Sequence, residues 1–381
     1  MSAKCVVISA VNFTEGGPLT VLRECLASAS QVLGSEWRII ALVHDGRLLD
    51  VPRVELIEVR DAKASWLSRL RHEWFGFRQR SLDWPVDLWF SLHDITPRVV
   101  ARRQAVYCHN PSPFYRLPWR EARLEPALWL FNRFYARLYG AFIRRNGWVV
   151  VQQQWIREEF RSRFGNLPLI VAHPGQASVA VAVSHGVPQL ASEDVRPGFD
   201  SAARQVRTVF LYPALPRVFK NVETVLAAAE MLTEHAGVEF ELRLTLDGHE
   251  NAYARHLLAR YGHLPTVKFM GRQDRVEMQK QYQEAHAVLF PSKLETWGLP
   301  ITEAKAIARP LLVADLPYAH ETVGNYDRVQ FIGATDVTGW AGAMRALSKQ
   351  TWVGAHARFD EPASPFARDW AELWSLLIKG L

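Results

Sequence analysis

Three cysteines in 381 residues, Cys5, Cys25 and Cys108, are too few and too scattered for a disulfide framework or a cysteine-rich zinc site. They predict a reducing compartment and small buried apolar side chains. No apolar run reaches the about 20 residues that a membrane-spanning helix needs. The opening MSAKCVVISAV lacks both the cationic start and the cleavage site of a secretion signal. The chain is therefore expected to stay in the cytoplasm and not to span a membrane. No internal period and no low-complexity tract is present, which excludes a solenoid. There is no Asp-x-Asp pair and no His or Cys cluster at ligand spacing, so no metal site is predicted.

What is present is a composition that folds. Hydrophobic residues make up 49% and charged residues 22%, the balance of a globular protein with sizeable cores. The length exceeds what one hydrophobic core supports, so two domains are expected. A net charge of +6 and a pI near 9.3 point to an anionic partner, whose nature position must decide.

The chain opens as a strand at Val6–Ala10, a polar glycine loop at Asn12–Gly17 and a helix from Pro18. Further strands are predicted at Arg38–Val43, Val54–Val59, Leu88–Ser91, Gln104–Tyr107 and Trp148–Val151. The pattern restarts with strands at Thr208–Tyr212, Glu241–Leu246, Val267–Phe269, Ala287–Phe290 and Pro310–Ala314, interleaved with helices from near Asn221, at Arg275–Glu284 and at Pro300–Ala308. Strands alternating with helices imply parallel sheets covered on both faces. The expected architecture is α/β, two Rossmann-like domains facing across a cleft: residues 1–175, a linker at 176–206 rich in Ala, Ser, Val, Gly and Pro, and residues 207–363. A C-terminal helix at 364–381 is expected to pack back on the first domain.

The most informative stretch is VLFPSKLETWGLPITEAKAI. A strand ends at Phe290, a loop carries Glu295, and a helix starts near Pro300 with Glu303 in its first turns. Backbone N–H groups from Thr296 through Trp297 and Gly298 to Leu299 stand at a helix N-terminus, where a diphosphate is well placed. Glu295 and Glu303 would repel phosphate, so they are expected to accept hydrogen bonds from neutral hydroxyls. Read alone, each Glu could equally be an ordinary loop or first-turn acidic residue.

With Pro291-Ser292, Glu295, seven residues and Glu303, the chain resembles the large family-4 group of retaining GT-B glycosyltransferases. The resemblance implies that Glu295 meets the donor sugar and Glu303 the ribose hydroxyls, with phosphates over Trp297–Leu299. It also implies a cationic clamp in YPALPRVFKN, where Lys220 matches the family lysine. The usual Gly-Arg is replaced by Pro213-Ala214, leaving Arg217 as the candidate arginine. Gly16 and Gly17 match the glycine pair that brings backbone close to the donor. His109, in AVYCHNPSPF, matches a histidine near the reacting face of the sugar. Met270, Gly271 and Arg272 fall where relatives bracket the nucleotide base. His93 and Asp94, at the end of the Leu88–Ser91 strand, are candidates for the acceptor side. The catalytic set is thus His109, Glu295 and Lys220, acting on a nucleotide diphosphate sugar without a metal cofactor.

By resemblance to bacterial surface-polysaccharide enzymes, the acceptor is expected to be a lipid-linked glycan and the donor GDP-mannose, with UDP-hexoses next. Two stretches interleave arginines with aromatics, residues 66–80 and 115–145. The second, with Arg133, Arg137, Arg144 and Arg145 beside apolar residues at helical spacing, predicts contact with an anionic inner leaflet; packing of the aromatics into the N-terminal core is the alternative. No nucleic-acid-binding module is present. A GT-B-fold sugar-nucleotide epimerase and a non-catalytic sugar-nucleotide or glycan-binding subunit are the rival functions.

Overall fold

In a computed structural model of the chain, residues 3–174, 207–234 and 237–381 are described. The expected linker lies outside them. Internal contacts divide the chain into two units. The first takes Met1–Arg116, Leu130–Ser178 and Glu361–Leu381, the second Leu117–Trp129 and Val179–Asp360.

The first unit is built on strands β1 (Lys4–Ala10), β2 (Trp37–Val43), β3 (Val54–Glu58), β4 (Leu88–Ser91), β5 (Arg103–Cys108), β6 (Trp148–Val151), β7 (Leu169–Ala172) and β15 (Phe366–Ala367). Their order is β15-β7-β6-β5-β4-β1-β2-β3, and every pairing is parallel. The four residues of β4, Leu-Trp-Phe-Ser, are all buried, the pattern of a strand covered by helices on both faces.

The second unit uses β8 (Thr208–Tyr212), β9 (Phe240–Leu244), β10 (Val267–Phe269), β11 (Ala287–Phe290), β12 (Leu311–Ala314), β13 (Tyr326–Ile332) and β14 (Ala355–Ala357). Their order is β10-β9-β8-β11-β12-β13-β14. Only the edge pair β13 and β14 is antiparallel. Both sheets reverse direction of growth at one strand, β1 in the first and β8 in the second. The carboxyl ends of the strands at such a reversal are where open α/β sheets hold ligands.

Two differences from the linear reading have clear causes. The C-terminal helix is shorter than 364–381: it runs Trp370–Ile378, started by Asp369, whose carboxylate accepts the Glu372 N–H at 2.9 Å. The residues before it form β15 against β7. Trp374 is fully buried in the first unit, 5.6 Å from the Phe90 ring, and its Nε1 donates to the Cys25 carbonyl. Residues 117–129 fall within the N-terminal domain expected at 1–175, yet they count with the second unit. Glu121 and Glu125 hold them there through ion pairs to Lys293 and Arg217. Among the described residues, no helix is long and apolar enough to cross a membrane.

Candidate active site

In the second unit the loops after β8 and β11 are sewn together. Tyr212 Oη donates to the Lys220 carbonyl at 2.5 Å. Asn221, at φ +58°, sends its Nδ2 to the Pro291 and Ala334 carbonyls at 2.9 and 2.6 Å. Lys293 N donates to the Phe219 carbonyl at 2.7 Å, and Tyr318 Oη donates to the Ser292 carbonyl at 2.7 Å. This frame places Lys220 Nζ 2.5 Å from Glu295 Oε1, with side chains 17% and 13% exposed.

The next turn leads into the Leu299–Ala306 helix. Gly298 caps it at φ +83°, and a Cβ there would lie 3.0 Å from Phe290 Cε1, so both conformation and space require glycine. Trp297 is pinned by Nε1 to Thr302 Oγ1 at 3.0 Å and by its carbonyl to Thr322 Oγ1. Further along, Glu303 Oε2 accepts the Tyr282 hydroxyl at 2.5 Å. Burial raises the Glu303 pKa, with the tyrosine hydrogen bond and Arg275 acting against it.

Arg217 forms an ion pair of 2.6 Å from Nε to Glu125 Oε1, and Glu125 Oε2 also accepts the Val218 N–H at 2.8 Å. Its neighbour Glu121 takes Lys293 Nζ at 3.0 Å, which also meets Glu223 at 3.3 Å. The Met270–Arg272 turn follows β10, two strands from β8, about 10 Å at ordinary strand spacing. Gly271 there is at φ +72° and Arg272 is exposed.

The first unit gathers a separate group at its own reversal. Gly16 is at φ +61°, and at both Gly16 and Gly17 a Cβ would meet open space. Gly16 is thus explained by backbone conformation, while nothing in the fold explains Gly17. His109 follows β5 with its side chain 19% exposed, edge-on to Phe13 at 5.2 Å and stacked on Tyr107 at 6.2 Å.

His93 and Asp94 are corrections to the expected acceptor side. His93 has no exposed surface, and its Nδ1 lies 2.8 Å from Glu73 Oε1, itself fully buried. Asp94 is 5% exposed and is consumed by donors from His109, Asn110, Tyr135 and Tyr139. Side chains turned inward in this way brace the site and do not line it.

The structure therefore unites Lys220 with Glu295 and the 296–299 turn in one unit, and His109 with Gly16 and Gly17 in neighbouring loops of the other. It also shows residues that sequence reasoning missed. Asn221 carried a local signal, since it directly follows Lys220 and tolerates left-handed backbone. Glu125, Glu121 and Lys293 carried none, because their partners are distant in the chain.

Two parallel-sheet α/β units with a polar cluster at the strand reversal of each define the GT-B fold. Residues 200–363 match the family described as "Glycosyl transferases group 1". The chain is 30% identical over 73 residues to the O-antigen chain mannosyltransferase RfbU of Salmonella typhimurium, a match covering 19% of this chain. It spans only about a fifth (20%) of that curated relative's length. Among solved structures it resembles sucrose-phosphate synthase of Thermosynechococcus elongatus, with TM-score 0.61, 16% identity, and 92% and 91% of the two chains covered. It also resembles the lipopolysaccharide outer core galactosyltransferase WaaB, with TM-score 0.62, 13% identity, and 91% and 90% covered. At such identities these structural likenesses are likenesses of fold.

Proposed function

We propose that this chain is a retaining glycosyltransferase of the family-4 type that moves a hexose from a nucleotide diphosphate sugar to a glycan acceptor. The Lys220–Glu295 pair carries the reading. It stands at the reversal of the second sheet, one turn from a helix start whose backbone donors suit a diphosphate. Donor binding gives Lys220 a phosphate in place of the carboxylate and frees Glu295 to accept sugar hydroxyls. Lys220, Arg217 and the 296–299 turn then offset the charge that develops on the departing nucleotide, and transfer proceeds without a metal ion. The acceptor hydroxyl attacks from the face the nucleotide leaves, with His109 beside the reacting sugar. Glu303 serves the ribose and the Met270–Arg272 turn the base.

GDP-mannose is the first donor to test, and UDP-hexoses follow; the partial likeness to a mannosyltransferase supports that order. The proposed acceptor is a lipid-linked repeat unit of O-antigen, capsule or exopolysaccharide, used at the cytoplasmic face of the inner membrane. A surface of the first unit supports this. Trp66, Leu67 and Phe75 are 47%, 81% and 62% exposed, and Leu130 and Phe134 on the Pro126–Gly140 helix are 52% and 50% exposed. Trp66 lies 6.0 Å from Phe131, so the two stretches form one face. Arg71 and Arg78 of the first stretch and Arg133 and Arg137 of the second are exposed. Exposed apolar side chains interspersed with arginines complement an anionic bilayer surface.

A thermal-shift screen of nucleotide sugars ranks base and sugar, because a ligand that binds only the folded state raises apparent stability. The best donor is then incubated with lipid-linked glycan, with and without EDTA. A product of retained configuration, at a rate EDTA does not change, supports the proposal. An isomerised nucleotide sugar formed without acceptor would instead make the chain an epimerase.

A further inference from the structure

Asp94 has an unusual backbone and an unusual number of partners. It sits just beyond β4 at φ +68°, a left-handed conformation that costs a non-glycine residue about 1 kcal/mol. Its Oδ1 accepts the backbone N–H of His109 at 2.8 Å and of Asn110 at 3.2 Å. Tyr139 Oη is 2.9 Å from the same oxygen, and Tyr135 Oη is 3.2 Å from Oδ2. Tyr135 and Tyr139 lie one turn apart on the Pro126–Gly140 helix, so that helix braces the carboxylate from one side while the strand end fixes it from the other.

The same Oδ1 lies 3.3 Å from His109 Nδ1, an atom with no surface of its own. Backbone N–H groups can only donate, so Oδ1 is an acceptor here. A bare nitrogen facing it would set two lone pairs against each other at 3.3 Å, so a hydrogen on Nδ1 is favoured although the contact lacks hydrogen-bond geometry. Phe13 and Tyr107 hold the ring plane. We propose that Asp94 is a positioning residue for His109, holding its imidazole as the Nδ1–H tautomer so that Nε2 is left to accept a hydrogen bond from a substrate hydroxyl.

Burial lowers the His109 pKa, Asp94 opposes this, and Arg69 and His93 reinforce it. The imidazole is thus neutral at neutral pH, and its tautomer decides what it can do. The hydroxyl in question rests on the glycosyltransferase reading, whereas the tautomer does not.

The test uses the full chain labelled with 15N-histidine. Long-range imidazole 1H–15N spectra report the tautomer, with the His109 signals assigned by their loss in His109→Gln. The expected wild-type result is a protonated Nδ1 and a bare Nε2. In Asp94→Asn the ring should lose that preference, and its protonation midpoint should move lower because the carboxylate that favours the cation is gone. A bare Nδ1 in the wild type would overturn the proposal, as would an unchanged tautomer and midpoint in a folded Asp94→Asn. Should Asp94→Asn not fold, Tyr139→Phe supplies the second variant: it keeps the carboxylate but removes one brace, and is expected to broaden or shift the same signals, which unchanged signals would contradict. With a donor in hand, Asp94→Asn should lower kcat about 10- to 100-fold with little change in donor KM. Unchanged kcat beside the expected spectra would count against the place of His109 at the reacting sugar and leave the tautomer standing, since the spectra need no substrate.

Discussion

Lys220 and Glu295, 75 positions apart in the chain, share one short contact of 2.5 Å. Each holds the charge of the other in a largely sheltered place, so on the proposed reading a donor phosphate would take the carboxylate's place on the lysine. Lys220→Ala should therefore lower kcat about 10²- to 10³-fold, and Glu295→Ala should abolish transfer. Both variants should still fold but melt below the wild type, because each leaves its partner's sheltered charge uncompensated, as checked by calorimetry beside the transfer assay.

Arg217 offers a second exchange. Its guanidinium, 40% exposed, is engaged by Glu125. Glu125→Gln should tighten GDP or UDP binding by freeing the cation, and Arg217→Ala should weaken it about tenfold. Isothermal titration with the nucleoside diphosphates measures both, and equal affinities in all three proteins would remove Arg217 from the clamp.

The exposed arginine and aromatic face can be tested without substrate. Arg133→Glu with Arg137→Glu should reduce binding to phosphatidylglycerol vesicles at least about tenfold, at roughly 1 kcal/mol for each cation near the surface. Sedimentation with vesicles at two ionic strengths gives the result, and added salt should weaken the wild type toward the variant.

Glu303 couples function to pH. Its folded pKa is raised by burial, so the folded state holds a proton that the unfolded chain releases at lower pH. Stability is favoured below the unfolded pKa and falls as pH rises through the folded value. Glu303→Gln removes that penalty. It should raise Tm at pH 7 relative to wild type, erase the difference at acidic pH, and weaken nucleotide-sugar binding. A lower Tm at pH 7 would show that the Tyr282 bond matters more than the burial cost.

Trp374 has no exposed surface. Trp374→Ala should cost the first unit about 3–5 kcal/mol. Denaturant titration followed by fluorescence would show it.

Much of this was readable from residue order. Short β-prone runs bounded by polar residues marked Leu88–Ser91, Trp148–Val151, Thr208–Tyr212, Val267–Phe269 and Ala287–Phe290 to the residue. The strand YDRVQFI at 326–332 escaped notice because Asp327, Arg328 and Gln330 interrupt its apolar pattern, which a place beside a three-residue edge strand allows. Lys220 and Glu295 could be singled out one by one, each by its place beyond a strand. Their mutual contact, the inward turn of His93 onto Glu73, and the hold of Glu125 on Arg217 all depend on distant partners, for which a single chain offers no local signal.

The return of residues 361–381 to the first unit has a consequence for synthesis. While the ribosome is still making the tail, β7 lacks its outer neighbour β15, and the places of Trp370 and Trp374 beside Tyr107 and Phe90 stay open. The half made first is thus completed only after the second unit has been made, and its nascent form carries an unsealed apolar seam, the kind of surface that chaperones bind.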